Sequence, residues 1–228
     1  MAISAFLSSR LDVVGAQPAR AAAAARHDGI ALRLNQLVAA LLLLMLAPLM
    51  LLIAAWICWI DGAPVLFSHF RVGQDGRLFR CLKFRTMCRD SEGALQRLLA
   101  SDPVAGEQWA RDQKLQHDPR ITSIGHLLRL SSLDELPQLF NVLNGDMVLV
   151  GPRPVTPAEL ARYGAARWHY LSVRPGITGL WQVSGRNNLS YAERVALDRR
   201  YVEQKSAWLD LRILVRTLKV VLARDGAL

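Results

Sequence analysis

Cysteine and lysine are both scarce in this 228-residue chain. Three cysteines, Cys58, Cys81 and Cys88, are odd in number and form no CxxC pair, which argues against a disulfide framework and for the cytosolic side. The five histidines show neither HxxxH nor HExxH spacing, which argues against a zinc site. No Walker A loop and no GxGxxG motif is present, so a nucleotide would have to be held by arginine, backbone amides and a metal. No internal repeat is detectable. Charged residues are 21% against 52% in the hydrophobic class, a balance that excludes a disordered chain and fits neither collagen nor a coiled coil. Acidic residues are also few, 19 against 28 basic, for a net charge of +9. Only four of those 28 are lysines, which leaves 24 arginines. Such a surplus predicts an anionic partner: nucleic acid, a lipid surface or a phosphorylated substrate.

What is present begins with a tail. Residues 1–29 include AQPARAAAAARHDG, a small, basic, low-complexity stretch without apolar periodicity, expected as a flexible tail. The run Leu37–Ile60 then holds 24 residues without a charge, enough for a helix to cross a hydrocarbon layer about 30 Å thick. It is too long for a signal peptide, and no small-x-small cleavage site follows before Asp61. Pro48 lies in its middle, where the missing N–H predicts a break or kink. Arg20, Arg26 and Arg33 precede the run and Arg71, Arg77 and Arg80 follow it, so charge favours neither orientation. Both features suit a helix-break-helix that enters the bilayer and returns to the same face.

Residues 64–87 read as a β-hairpin around Gly73-Gln74-Asp75-Gly76, with Leu78, Arg80, Leu82 and Phe84 alternating along the second run. Residues 89–117 read as helical with a break at Asp102-Pro103, and another helix starts near Ser123. Three capping boxes are expected, at Ser132–Glu135, Thr156–Glu159 and Ser190–Glu193. A last helix, about Leu209–Ala223, carries Leu211, Leu214, Leu218, Val221 and Leu222 among Arg212, Arg216 and Lys219, a pattern suited to core cover or a membrane surface. The expected fold is thus mostly α with a small β-hairpin. A membrane-inserted segment spans 30–62, re-entrant and broken at Pro48. A cytoplasmic α/β catalytic domain with amphipathic surface helices covers 63–228.

Asp134-Glu135 is the first chemical candidate. As part of a capping box, both residues have a purely structural explanation. Adjacent helical side chains point about 100° apart. One carboxylate could therefore attack or position a phosphorus while the other holds a divalent metal. A helix N-terminus would keep the carboxylates ionised and attract phosphate. Arg153, between Pro152 and Pro154, carries a planar guanidinium on a stiffened backbone, suited to bidentate phosphate contacts or to an ordinary surface turn. Arg129 and the Lys83-Phe84-Arg85 strand are further basic candidates.

Taken together these stretches resemble the bacterial sugar transferases, the polyprenyl-phosphate hexose-1-phosphate transferases. The resemblance rests on Lys83-Phe84-Arg85-Thr86-Met87, DPRIT at 118–122, SLDELPQLFNVLNGDM at 132–147, VGPRP at 150–154, RPGITGLWQVSGRNNLSY at 174–191 and LDL at 209–211. These occur in family order over about residues 31–228. WQVSGRNNLSY and the terminal RDG are similar to those of undecaprenyl-phosphate galactose or glucose phosphotransferases. The resemblance implies that a UDP-sugar donates its hexose-1-phosphate to undecaprenyl phosphate and releases UMP, the first membrane step of O-antigen, capsule or exopolysaccharide synthesis. It implies Mg²⁺, a covalent phosphosugar on Asp134 and a metal-holding Glu135. Arg129, Arg153, Lys83 and Arg186 would bind phosphate or substrate. It implies a lipid bilayer as partner at the inner membrane with the catalytic domain on the cytoplasmic face, no nucleic acid, and an assembly that can be a homodimer. Three positions depart from the family pattern: Ala47-Pro48 stands for Ser-Pro, Asn35 for Asp, and Gln204-Lys205 for Asn-Trp. Two rival readings use the same charge: a membrane-tethered nucleic-acid-binding domain, although no helix-turn-helix, RNP or zinc-finger pattern occurs, and a membrane scaffold built on the last helix.

Overall fold

A computed structural model of the chain describes residues 18–112, 115 and 118–223. The described residues divide into two units between Leu34 and Asn35. The apolar run builds α1, Pro18–Asp61. Residues 1–17 of the expected tail lie outside the described residues, and from Pro18 onward the stretch is helical. Its alanine run explains this, since alanine has the highest helix propensity. The expected break at Pro48 is not an interruption of helix: α1 is assigned helical throughout with Pro48 inside it.

From Asn35 onward α1 belongs to the larger unit and packs one stripe against it. Ala39, Leu42, Leu43 and Leu46 meet a cluster of Phe79, Cys81, Leu139, Val142 and Met147. Beyond Pro48, Met50, Ile53, Ala54 and Ile57 meet Phe84, Ile124 and Leu128. Steps of three and four residues keep these side chains on one face. At about 1.5 Å per residue the stripe covers roughly 27 Å of helix. The other faces carry Leu37, Leu41, Leu44, Met45, Leu51, Leu52, Trp56 and Trp59, all exposed.

The hairpin forms as expected. β1 (Leu66–Val72) and β2 (Leu78–Phe84) pair antiparallel, with Leu66 opposite Phe84 and Val72 opposite Leu78. Gly76 (φ +78°) and Asp75 (φ +56°) make the left-handed turn that the hairpin needs. The free edge of β2 is closed by one side chain: Asn141 Oδ1 accepts from Leu82 N–H at 3.0 Å, and its Nδ2 donates to Arg80 O at 2.8 Å. That amide does the work of a third strand.

The helical remainder follows the punctuation in the sequence. α2 (Ser91–Ser101) ends at Asp102, and α3 (Pro103–Asp112) begins at Pro103. α4 (Ser123–Ser131) is capped by Thr122, and α5 spans Gln138–Asn144. β3 (Val148–Val150) follows, then α6 (Pro157–Ala161), α7 (Arg167–Leu171) and β4 (Gly176–Thr178). β3 and β4 pair in parallel, and Gly176 fits there because a Cβ would strike the Gly151 backbone. α8 (Tyr191–Gln204) and α9 (Ala207–Ala223) close the fold. Two of the three expected capping boxes form, at Thr156–Glu159 and Ser190–Glu193. Each stabilises its helix by about 1 kcal/mol. α9 turns Ile213 into the core with Val150, Leu180 and Tyr201. Trp208, Leu211, Val215 and Leu218 stay exposed on its outer face.

Candidate active site

The third expected box does not form, and that changes the site. Ser132 adopts the left-handed region (φ +57°), its side chain caps nothing, and Leu133–Glu135 is a single 3-10 turn. The dyad therefore sits on a tight turn between α4 and α5. The charge-stabilising helix N-terminus expected for it is absent there. Apolar neighbours hold the turn instead: Leu133 and Leu136 pack into the cluster of Ile53, Ile57 and Phe84. The dyad is thus one side-chain layer from α1.

Four elements converge on Asp134 and Glu135. Lys83, near the end of β2, places Nζ 2.7 Å from Glu135 Oε1 and 3.3 Å from Asp134 Oδ2. Arg153 follows β3, and its Nη2 lies 3.1 Å from the same Glu135 oxygen. The flanking Pro152 and Pro154 are both buried, so the backbone carrying this guanidinium is fixed as the sequence suggests. Arg129, in the last turn of α4, donates through Nε to Thr86 Oγ1 at 2.9 Å. Arg186 lies on the 3-10 turn Arg186–Asn188 and donates to Ser132 Oγ at 3.2 Å. Arg186 and Ser132 both have positive φ, at +51° and +57°. Two strained non-glycine residues meeting beside the dyad mark a place where the surroundings override local preference. Of the sequence-derived candidates, Lys83, Arg129, Asp134, Glu135, Arg153 and Arg186 thereby lie on or beside one turn, while Arg85 and Pro48 do not.

Electrostatics separates the two carboxyls. Burial pushes the Asp134 carboxyl above its ordinary range, Lys83 opposes this, and the neighbouring Glu135 charge adds to it. Burial acts on Glu135 in the same direction. There the Lys83 and Arg153 charges outweigh it and hold the carboxyl at about 2. Glu135 is thus a fixed anion, while Asp134 is desolvated and less tightly paired. A desolvated carboxylate is the better nucleophile, and a fixed anion is the better cation ligand.

Other contributors were marked in the sequence only as members of motifs or, for Arg85, as one more basic candidate without a partner. Thr86, inside the KFRTM stretch, anchors Arg129. Arg85 is buried and ties the end of α1 to the hairpin: its Nη2 donates to Asp61 O and Gly62 O and pairs with Asp61 Oδ2. Asp118 and Arg120 of DPRIT form a two-point ion pair stacked against Trp109. The motif spacing marked these stretches, but not which side chain reached which partner. Asn35, where the family pattern has Asp, accepts from Leu149 N–H at 2.9 Å through Oδ1. An amide oxygen serves that backbone contact as a carboxylate oxygen would.

Residues 26–224 match the bacterial sugar transferase family. The chain belongs to this family. It is 55% identical over 167 residues to an undecaprenyl-phosphate galactose phosphotransferase of Salmonella typhimurium, covering 73% of this chain and 35% of that protein. A UDP-galactose-lipid carrier transferase of Erwinia amylovora is 56% identical over the same shares. The exopolysaccharide production protein ExoY of Sinorhizobium fredii is 48% identical over 191 residues, 84% of each chain. The chain therefore spans about a third of the first two relatives and most of the third.

Proposed function

We propose that this bacterial sugar transferase moves a hexose-1-phosphate from a UDP-sugar, UDP-galactose or UDP-glucose, to undecaprenyl phosphate and releases UMP. It would thereby initiate O-antigen, capsule or exopolysaccharide synthesis. The observation that carries the reading is the buried dyad clamped by Lys83 and Arg153. Paired cations beside a desolvated carboxylate suit attack on a diphosphate, because the substrate's own charge would otherwise repel the nucleophile. The relatives' names point to the same substrates.

In this mechanism an Asp134 carboxylate oxygen attacks the β-phosphorus of the donor. The bond from that phosphorus to the bridging oxygen breaks, and UMP leaves with the electron pair. A phosphate oxygen of undecaprenyl phosphate then attacks the same phosphorus and displaces Asp134 unchanged. Arg129, Arg153 and Lys83 neutralise the phosphates, and Arg186 braces the dyad turn through Ser132. Among the described residues no group of three His, Cys, Asp or Glu side chains forms a metal cage. Two carboxylates completed by donor phosphate oxygens are nonetheless a fitting set for Mg²⁺, with Glu135 the principal protein ligand. The ion would supply charge neutralisation at the diphosphate.

The same reading places α1 in the cytoplasmic membrane with the dyad on the cytoplasmic face. Gly29–Asp61 is long and apolar enough to cross a membrane, and its most apolar 18-residue stretch has a mean hydropathy of 2.9. Its packed stripe runs on both sides of Pro48, so the catalytic unit lies along the helix. Held along one stripe and exposed on its other faces, α1 suits insertion from one face better than a free span. The test is UMP release from a panel of UDP-sugars by detergent-extracted protein, with and without undecaprenyl phosphate and Mg²⁺. Release that depends on one sugar, and that Asp134→Asn abolishes, is expected. Folded protein that releases UMP from no donor would overturn the proposal.

A further inference from the structure

We propose that β1 is the path by which the lipid acceptor reaches the site, with Phe67 contacting the isoprenoid units next to its phosphate. This rests on the transferase reading above and adds a specific acceptor-binding residue to it.

Phe67 lies directly opposite Lys83 across the hairpin. Directly opposed residues share a face, with Cβ atoms about 5 Å apart. The phenyl ring is therefore the immediate neighbour of the lysine that holds both dyad carboxylates. It is 52% exposed, an unusual state for a phenylalanine beside a buried ionic centre. Leu66–Phe70 of β1 carries no Asp, Glu, Lys or Arg. The apolar surface does not start there. Trp56, Trp59 and Ile60 are exposed in the last turns of α1, and Phe67 follows in β1 on the Lys83 face. Arg85 closes the gap between them. Its side chain binds Asp61 O and Gly62 O, while its backbone N–H donates to Val65 O at 2.9 Å. Tryptophans near a helix end sit at the level of lipid headgroups. An apolar strip thus leaves α1 at headgroup level and ends at the Lys83 and Arg153 cations. A long apolar chain ending in a phosphate has that sequence of properties.

The experiment uses the full chain in nanodiscs with two readouts. Exchange of labelled UMP into the UDP-sugar, without acceptor, reports the first half-reaction. Transfer rate against undecaprenyl phosphate concentration reports the second. Phe67→Ser should raise the acceptor KM about tenfold while exchange falls less than twofold. Phe67→Leu, which keeps apolar area, should recover most of the loss. Phe70→Ser is the control: Phe70 is equally exposed at 53% but lies on the opposite face of the strand. It should shift the acceptor KM less than twofold. An unchanged KM in Phe67→Ser would overturn the inference. Equal rises in both serine variants would overturn it too, as they would report general membrane seating. Loss of exchange in Phe67→Ser would reassign the ring to the donor. No exchange by the unaltered protein with any donor would instead defeat the transferase reading itself.

Discussion

Lys83 Nζ lies 2.7 Å from Glu135 Oε1, and this contact sets the charge state of the dyad. Lys83 lowers the titration of both carboxyls. Replacing it by methionine removes that influence, so both should titrate at higher pH. The acid limb of the pH–rate profile should then move upward, because Asp134, the nucleophile of the proposed mechanism, attacks only when ionised. The rate at neutral pH should fall by at least about a hundredfold, as when a single preorganised charge contact is removed. A pH profile of UMP release checks both; an acid limb that stays in place would refute the assignment.

Thr86 positions Arg129 without facing the dyad itself. Thr86→Val keeps the shape and removes the hydroxyl that accepts from Arg129 Nε. A hydrogen bond to a charged group contributes about 1.5 kcal/mol, so donor KM should rise by about tenfold. The turnover number should change much less. Steady-state kinetics at saturating acceptor would show a KM effect; a pure loss of turnover would point to a different role for Arg129.

Asp198, on α8, is a buried carboxyl outside the dyad. Its Oδ2 accepts from Tyr163 OH at 2.8 Å, and its Oδ1 has no partner. Burial pushes it up to about 7, against the pull of Tyr163 and Arg153. The folded state therefore holds a proton that the unfolded chain releases near pH 4. Stability should fall as pH rises from about 4 to about 7, since the folded state binds more protons across that window. Asp198→Asn should flatten this slope. Melting temperatures of both proteins in detergent across that range would test it, and equal slopes would contradict it.

The capping contrast gives a fourth test. Ser190 accepts from Glu193 N–H in a complete box, so Ser190→Ala should cost about 1 kcal/mol. Ser132 caps no helix and its hydroxyl accepts from Arg186 Nη2 instead, so the cost of Ser132→Ala should largely vanish once Arg186 is replaced, while that of Ser190→Ala should persist. Denaturant titration of each serine variant with and without Arg186→Ala would show whether that holds.

Local patterns in the chain accounted for a good part of this. The hairpin about Gly73–Gly76, the end of α2 at Asp102-Pro103 and the boxes at Thr156 and Ser190 follow from turn and cap chemistry that acts within a few residues. Ser132 had the same pattern and did not obey it. The packing of Leu133 and Leu136 against Ile53 and Ile57 pulls that turn into the core, and tertiary burial outweighs one cap. Pro48 likewise predicted a break, while the stripe on both its sides holds α1 against the domain.

The sequence by itself determined the family, the apolar helix and the identity of the charged residues, because motifs and hydrophobic runs are local properties of the chain. Tertiary structure alone decided their partners. Lys83, Glu135 and Arg153 are far apart in sequence and meet only when β2, the dyad turn and the end of β3 pack together. Burial on that scale also reversed the expectation for Asp134, raising its titration where a helix terminus would have lowered it. Desolvation depends on everything packed around a group, and no pattern of neighbouring residues encodes it.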